Sequence, residues 1–411
     1  MIGPWRSLAA AALMLGAIGV AAAAAEANKP ILDSAERHKP AAIKLWERLV
    51  NIDSGTGDAE GLAAVGAVAI EELKRLGAAV ETVPAAPAAV GDNIVASLSG
   101  SGKGKVLLIA HMDTVFARGT AAARPFRIAD GRAYGPGVSD DKAGIVVALA
   151  VLKILDDLKF RDYARITLML NTNEETGSRG SRALIEKLAR EHDVTLNLEG
   201  GRVGDGITIW RKGSGTLKVE VKGRASHAGA TPELGRNAVM ELAHQMFQLS
   251  RLASAEKGTT INFTVIKGGD RKNVSPDFAE ADADVRALVT EEFDRVEREM
   301  AVVSQKKFIP DTEVKTSLIR TFPAMTQNAR TDALAAMAQR IYGELGKTLT
   351  LGGSGGAADS SLSAGVFKPT LDGLSLIGGN AHTDREYALV DSMVPRFYLV
   401  TRMVMELGKG K

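Results

Sequence analysis

The stretch Val106-Leu107-Leu108-Ile109-Ala110-His111-Met112-Asp113 decides the fold. Its apolar run, from Val106 to Ala110, shows no polar alternation, which suits a strand buried on both faces. His111 and Asp113 then stand where that strand ends. In an open α/β sheet, ligands bind beyond the carboxyl ends of the strands. The arrangement recurs along the chain. Arg165 to Leu170 reads as a second buried strand and leads through Asn171-Thr172-Asn173 to Glu174-Glu175; Val194 to Leu198 reads as a third and leads to Glu199. Asp140-Asp141 precede a long apolar helix, Lys142 to Leu158, and His382 follows a strand predicted over Pro369 to Leu374.

Outward from these strands, helical periodicity covers Glu36 to Val50, Gly61 to Leu76, Ser181 to Arg190, Thr331 to Leu345 and Ser392 to Leu407, while Val80 to Val83 and Asn93 to Leu98 read as strands. Strands alternating with helices predict an α/β domain with a mostly parallel central sheet and helices on both faces. The pattern changes near Gly213. Leu217 to Lys222 alternates apolar and polar, as a strand wet on one face does. A helix over Asn237 to Leu252, strands over Thr259 to Ile266 and Phe278 to Leu288, a helix over Glu291 to Gln305 and a strand over Thr312 to Ile319 complete β-α-β-β-α-β, the ferredoxin-like order. The expected division is a leader over residues 1–27, a catalytic domain in two parts, 28–212 and 322–411, and an inserted domain over 213–321. Gly213-Ser214-Gly215 and Thr321-Phe322-Pro323 read as its linkers.

Composition excludes several functions. The net charge of the 411 residues is +2 and aromatics make up 5%, so neither a phosphate-tracking surface nor a base-stacking platform is indicated. With no cysteine, disulfides and thiolate metal sites are absent. A basic start through Arg6, an Ala-rich apolar run from Ser7 to Ala25 and polar residues after it read as a secretory signal peptide, cleaved near Ala25 or Ala27. That predicts an exported, secreted or periplasmic, protein.

The strand-end residues carry the chemistry. Carboxylates gathered that closely repel one another, and divalent cations cancel the repulsion. Imidazole together with carboxylate suits zinc. His111 and His382 are the nitrogen candidates, Asp140 the best placed bridging carboxylate, and Glu175 and Glu199 complete two spheres. Asp113 is placed to fix the His111 imidazole. Glu174, left beside a ligand, is what a general base requires, provided the strand has ended before it. Any one strand-end acid is ordinarily a helix cap. His38, His192 and His244 read as structural.

His111-Met112-Asp113-Thr114-Val115, Gly135 to Gly144, Asn173-Glu174-Glu175-Thr176-Gly177-Ser178 and Ser226-His227-Ala228-Gly229, in this order and spacing, resemble the M20 family of dizinc metallopeptidases, most nearly its secreted glutamate carboxypeptidases of the carboxypeptidase G type. The resemblance implies two zinc ions per subunit, one held by Glu175 and His382, the other by His111 and Glu199, with Asp140 bridging. It also implies a cis peptide between Asp140 and Asp141 and Glu174 as the base. It gives His227 the role of stabilising the oxyanion in a partner subunit's site, which makes the inserted domain a lid and the surface of a homodimer. Asn273 and Arg286 match positions that grip the substrate carboxylate. The chain departs from the family at Phe322, where an arginine is expected, with Arg320 two positions earlier, and over Arg202 to Lys212, including Trp210. These departures bear on glutamate preference, not on hydrolysis. The expected activity is hydrolysis of an amide bond next to a free carboxylate. The competing readings are an N-acyl amino acid deacylase or dipeptidase of the same superfamily, and a noncatalytic exported protein that captures peptides or amino acids.

Overall fold

A computed structural model describes residues 26–410, so the expected leader lies almost wholly outside the described residues. The central sheet has six strands, in the order Ala79–Pro84, Asp92–Ser99, Arg165–Asn171, Lys105–His111, Val194–Asn197 and Thr370–Leu371. Lys105–His111 pairs in parallel with both neighbours, and Thr370–Leu371 extends the parallel run. Asp92–Ser99 pairs antiparallel with the strand on each side. The expected mostly parallel α/β sheet is present.

Burial on both faces explains the unbroken apolar runs. Val106, Leu108 and Ala110 join one core with the buried helix Lys142–Asp157, against which Lys29–Val50 and Met393–Gly408 pack. Leu107 and Ile109 point the other way, to Ile185 and Leu188 of Arg182–Glu191 and to Leu362 of Asp359–Gly365. Register sets His111 opposite Asn171 and Ile109 opposite Asn197. The three strands that lead to His111, to Glu174-Glu175 and to Glu199 therefore finish side by side.

The second sheet has four antiparallel strands in the order Thr260–Gly268, Phe278–Ala287, Gly213–Lys222, Glu313–Phe322. With helices Ala238–Ser250 and Glu291–Val303 this is the ferredoxin-like topology. Leu217, Val219 and Val221 bury one face under Leu242, Phe293 and Val296, while Lys218 pairs with Glu220 and Glu280 on the other.

Two details differ from the sequence reading. Gly213-Ser214-Gly215 and Thr321-Phe322, read as linkers, lie within paired strands. A Cβ on Gly213 would come within 2.8 Å of the Phe322 carbonyl oxygen, and one on Gly215 within 2.9 Å of that of Ile319, so close approach demands these glycines. The segment before Lys212 also forms an unforeseen strand, Gly206–Arg211, parallel to Thr350–Ser354. Gly353 is needed there because a Cβ would sit 1.7 Å from the Trp210 ring. Among the described residues no helix is long and apolar enough to cross a membrane.

His192 is structural, as expected. It is buried, with Nδ1 at 2.7 Å from the Leu188 carbonyl and Nε2 at 2.8 Å from Thr167 Oγ1. Burial lowers its pKa from 6.5 to about 4. The unfolded chain takes up this proton below pH 6.5 and the folded chain does not, so the contribution is present above pH 6.5 and lost as pH falls through 4. The difference is worth up to about 3 kcal/mol. Urea midpoints measured between pH 7 and pH 4 should fall less in H192Q than in the wild type; identical falls would remove His192 as a source of the acid sensitivity.

Candidate active site

Two donor groups share one carboxylate. His111, Asp140 and Glu199 form the first, and Asp140, Glu175 and His382 the second; within each, the ligand atoms lie within 4.8 Å of one another. His111 Nε2 is 3.0 Å from Asp140 Oδ1 and 3.5 Å from Glu199 Oε1. His382 Nε2 is 3.1 Å from Asp140 Oδ2 and 3.0 Å from Glu175 Oε2. The His111 side chain is 2% exposed and that of His382 53% exposed. His382 also adopts φ +64°, in the left-handed region.

Backbone N–H groups position these side chains. The strand ends at Asn171, and Glu174–Thr176 is a single 3-10 turn, so the period-two alternation no longer applies at the two glutamates. Asp113 holds this turn: Oδ1 accepts from Glu174 N (3.0 Å), and Oδ2 from Glu175 N (3.2 Å) and Thr56 Oγ1 (2.6 Å). Its link to His111 is mainly through the backbone, with Nδ1 at 3.0 Å from the Asp113 carbonyl and 3.4 Å from Oδ1. The Asp140-Asp141 peptide is cis. Asp141 accepts from His111 N and from Gly144 N, which caps the following helix.

Two buried carboxylates escaped the sequence reading. Glu386 accepts N–H bonds from Gly137 (3.2 Å), Ser139 (2.7 Å) and Asp140 (3.0 Å), so it cradles the loop that presents Asp140. Trp46 holds the same loop by donating to the Val138 carbonyl at 2.9 Å. Asp359 accepts from Asn171 Nδ2 at 2.7 Å and Ser178 Oγ at 2.5 Å, on either side of the glutamate turn. The only clue to Glu386 was a glycine-rich loop whose N–H groups need acceptors.

Burial, then the charge on Glu199, pushes the Glu174 carboxyl well above its ordinary pKa. Burial raises Glu175 as well, against the pull of His382. Burial works against the charge on Asp140, but His111 and His382 outweigh it and hold its carboxyl below the usual range. Asp140 and Glu175 push His382 up to about 10. The cluster is an excess of buried negative charge that calls for cations.

The inserted-domain residues lie elsewhere. His227 is exposed, and its Nδ1 accepts from Gly229 N (3.2 Å) and Ala230 N (3.0 Å). Neutral, it therefore carries its proton on Nε2. No hydrogen bond or ion pair among the described residues joins it to the cluster. Asn273 is beside it, its carbonyl accepting from Ala228 N at 2.9 Å. Arg286 is at the far end of the sheet, opposite Ser214, and its Nε is 2.9 Å from Asp284 Oδ2. Phe322 is buried among Leu107, Ile109 and Met169, and Arg320 is paired with Asp294 and Glu297 at 2.6 and 2.7 Å.

Comparison with known proteins agrees with this geometry. The family model for peptidase family M20/M25/M40 matches residues 107–406. Carboxypeptidase G2 from Pseudomonas sp. (strain RS-16) is 38% identical over 409 residues, covering 99% of each chain. A succinyl-diaminopimelate desuccinylase from Methylobacterium radiotolerans is 30% identical over 79% of this chain and 87% of its own. The crystal structure of a tripeptidase from Staphylococcus aureus superposes with a TM-score of 0.78 at 21% identity, covering 90% of this chain and 99% of that one. The chain belongs to peptidase family M20/M25/M40.

Proposed function

We propose that this protein is a zinc-dependent exopeptidase of the glutamate carboxypeptidase kind, hydrolysing an amide bond next to a free carboxylate. One observation carries the reading: two imidazoles and two carboxylates converge around a shared Asp140, with Glu174 left over beside them. The donor set fits two zinc ions, one held by His111 and Glu199 and the other by Glu175 and His382, with Asp140 between. Glu175 Oε1 is buried without a hydrogen-bond partner, as a ligand atom awaiting a cation is. When bound, the ions supply Lewis acidity and make water acidic enough to be deprotonated near neutral pH.

The residues then divide the work. Glu174, fixed by its N–H bond to Asp113, takes the proton of the attacking water and passes it to the leaving nitrogen. His227, with its Nδ1 engaged by two backbone amides, offers Nε2–H to the oxyanion. Asn273 lies beside Ala228 in the loop before the strand Phe278–Ala287, whereas Arg286 stands near the far end of that strand, opposite Ser214, and no contact among the described residues joins the two. A homodimer resolves this, with His227 and Asn273 reaching the partner's site while Arg286 serves its own. Met240 and Phe247 on one helix, and Ile266 on the neighbouring edge strand, are exposed and offer an apolar surface suited to that contact. Residues 1–27 are read as the export leader that delivers the enzyme to the periplasm. The second reading, an N-acyl amino acid deacylase, is favoured by Phe322, which leaves no hinge guanidinium to select glutamate.

E174Q should lower kcat by about 10²–10⁴-fold with zinc content and substrate affinity kept; undiminished hydrolysis would remove Glu174 as the base and reopen the noncatalytic alternative. E386Q keeps the size of a side chain that accepts three N–H groups but loses its charge. Its zinc affinity, read by competition with a chromophoric chelator, should fall about 10–100-fold, and wild-type affinity would refute the cradle. H227A should lose about 10²–10³-fold in kcat. Mixed with E174Q, it should regain part of the activity through heterodimers; no gain after verified subunit exchange would place His227 in its own subunit's site.

A further inference from the structure

The Arg320 to Pro323 segment offers no free guanidinium for the substrate carboxylate. Phe322 is turned into the core and Arg320 is committed to Asp294 and Glu297. Arg211, at the end of the unforeseen strand, is buried and lines a 220 Å³ cavity together with Asp140, Glu199 and Ser354. That volume suits the amino-acid end of a small substrate more than a large side group. The guanidinium is held in place from behind. Nε donates to Asp372 Oδ2 at 2.6 Å, and Nη1 lies 3.4 Å from the Gly356 carbonyl. Asp372 is itself fixed by Asn197 at 3.1 Å and by Ser360. A guanidinium has five N–H donors, and these two contacts leave the rest, including both on Nη2, without a partner among the described residues.

We propose that Arg211 is a further specificity residue, additional to Asn273 and Arg286, that binds a free carboxylate of the substrate, end-on through its Nη atoms, in the cavity beside Asp140 and Glu199. This rests on reading the metal cluster as the catalytic centre. Trp210, whose ring covers Gly353, and the pairing of Ser354 with Arg211 hold the strand in register, so the fork is preorganised. Arginine suits the position because Asp372 can restrain one edge while the other meets a carboxylate with two hydrogen bonds. A ligand lacking the carboxylate would leave that edge unanswered.

The test uses full-length, zinc-loaded enzyme and the N-acyl amino acid that the wild type hydrolyses fastest, compared with its α-carboxamide. R211M should raise KM for the free acid about 10–100-fold with kcat little changed, and should leave the carboxamide unaffected. R211K should fall between. Zinc content and melting temperature report whether the variants are folded and loaded. Equal losses on acid and carboxamide, or a fall in kcat without a change in KM, would overturn the proposal in favour of a structural ion pair. Should R211M fail to fold, R211K decides alone, and wild-type KM for the acid would refute the assignment. If the wild type hydrolyses no acyl substrate with zinc bound, the enzymatic reading itself fails, a result distinct from failure of the Arg211 assignment.

Discussion

The constraint on which the rest depends is the crowding of negative charge at one end of the central sheet. Asp140, Glu174, Glu175 and Glu199 meet there with two imidazoles, and burial raises the carboxyls of Glu174 and Glu175. Only cations make such a gathering stable in its charged form. The fold supports it by ending three parallel strands side by side, so that the loops leaving them share a single space. Asp140 sits at the centre because it belongs to both donor groups.

The second layer of the site consists of carboxylates that bind no cation in this reading but hold backbone. Asp113 fixes the turn of the two glutamates, Asp141 ties the His111 amide to a helix start, and Glu386 gathers the loop before Asp140. Each accepts backbone N–H groups of the loops that carry the donor side chains. Acid at this end of the molecule therefore has two distinct uses. Some carboxylates create the field, and others keep the chain in the shape that endures it.

How much of this was legible follows from where the physical signal is local. Val106 to Ala110 and Ile166 to Leu170 announce buried strands because each face meets its own helical layer. The alternation of Leu217, Val219 and Val221 announces a sheet with one wet face. The donor residues were readable because they follow such strands. Gly206–Arg211 was not, since its partner, Thr350–Ser354, is far away in sequence and glycine-rich, and its pairing is set by Trp210 covering Gly353. Glu386 was hidden among Asp384 and Arg385, where a charged run normally signals a solvated surface. Gly213 and Gly215 read as linker residues because a glycine forced by close approach looks, in sequence, the same as one chosen for freedom.

The unequal shielding of the two imidazoles has a kinetic meaning. His111 is enclosed at the end of a buried strand, whereas His382 reaches in from an open loop with half of its side chain in water. Swinging the latter outward disturbs little, while freeing the former requires the sheet end itself to loosen. Were two ions held there as proposed, they would exchange with solution at different speeds, and a half-loaded species, filled on the sheltered side, would be the waypoint in both filling and stripping.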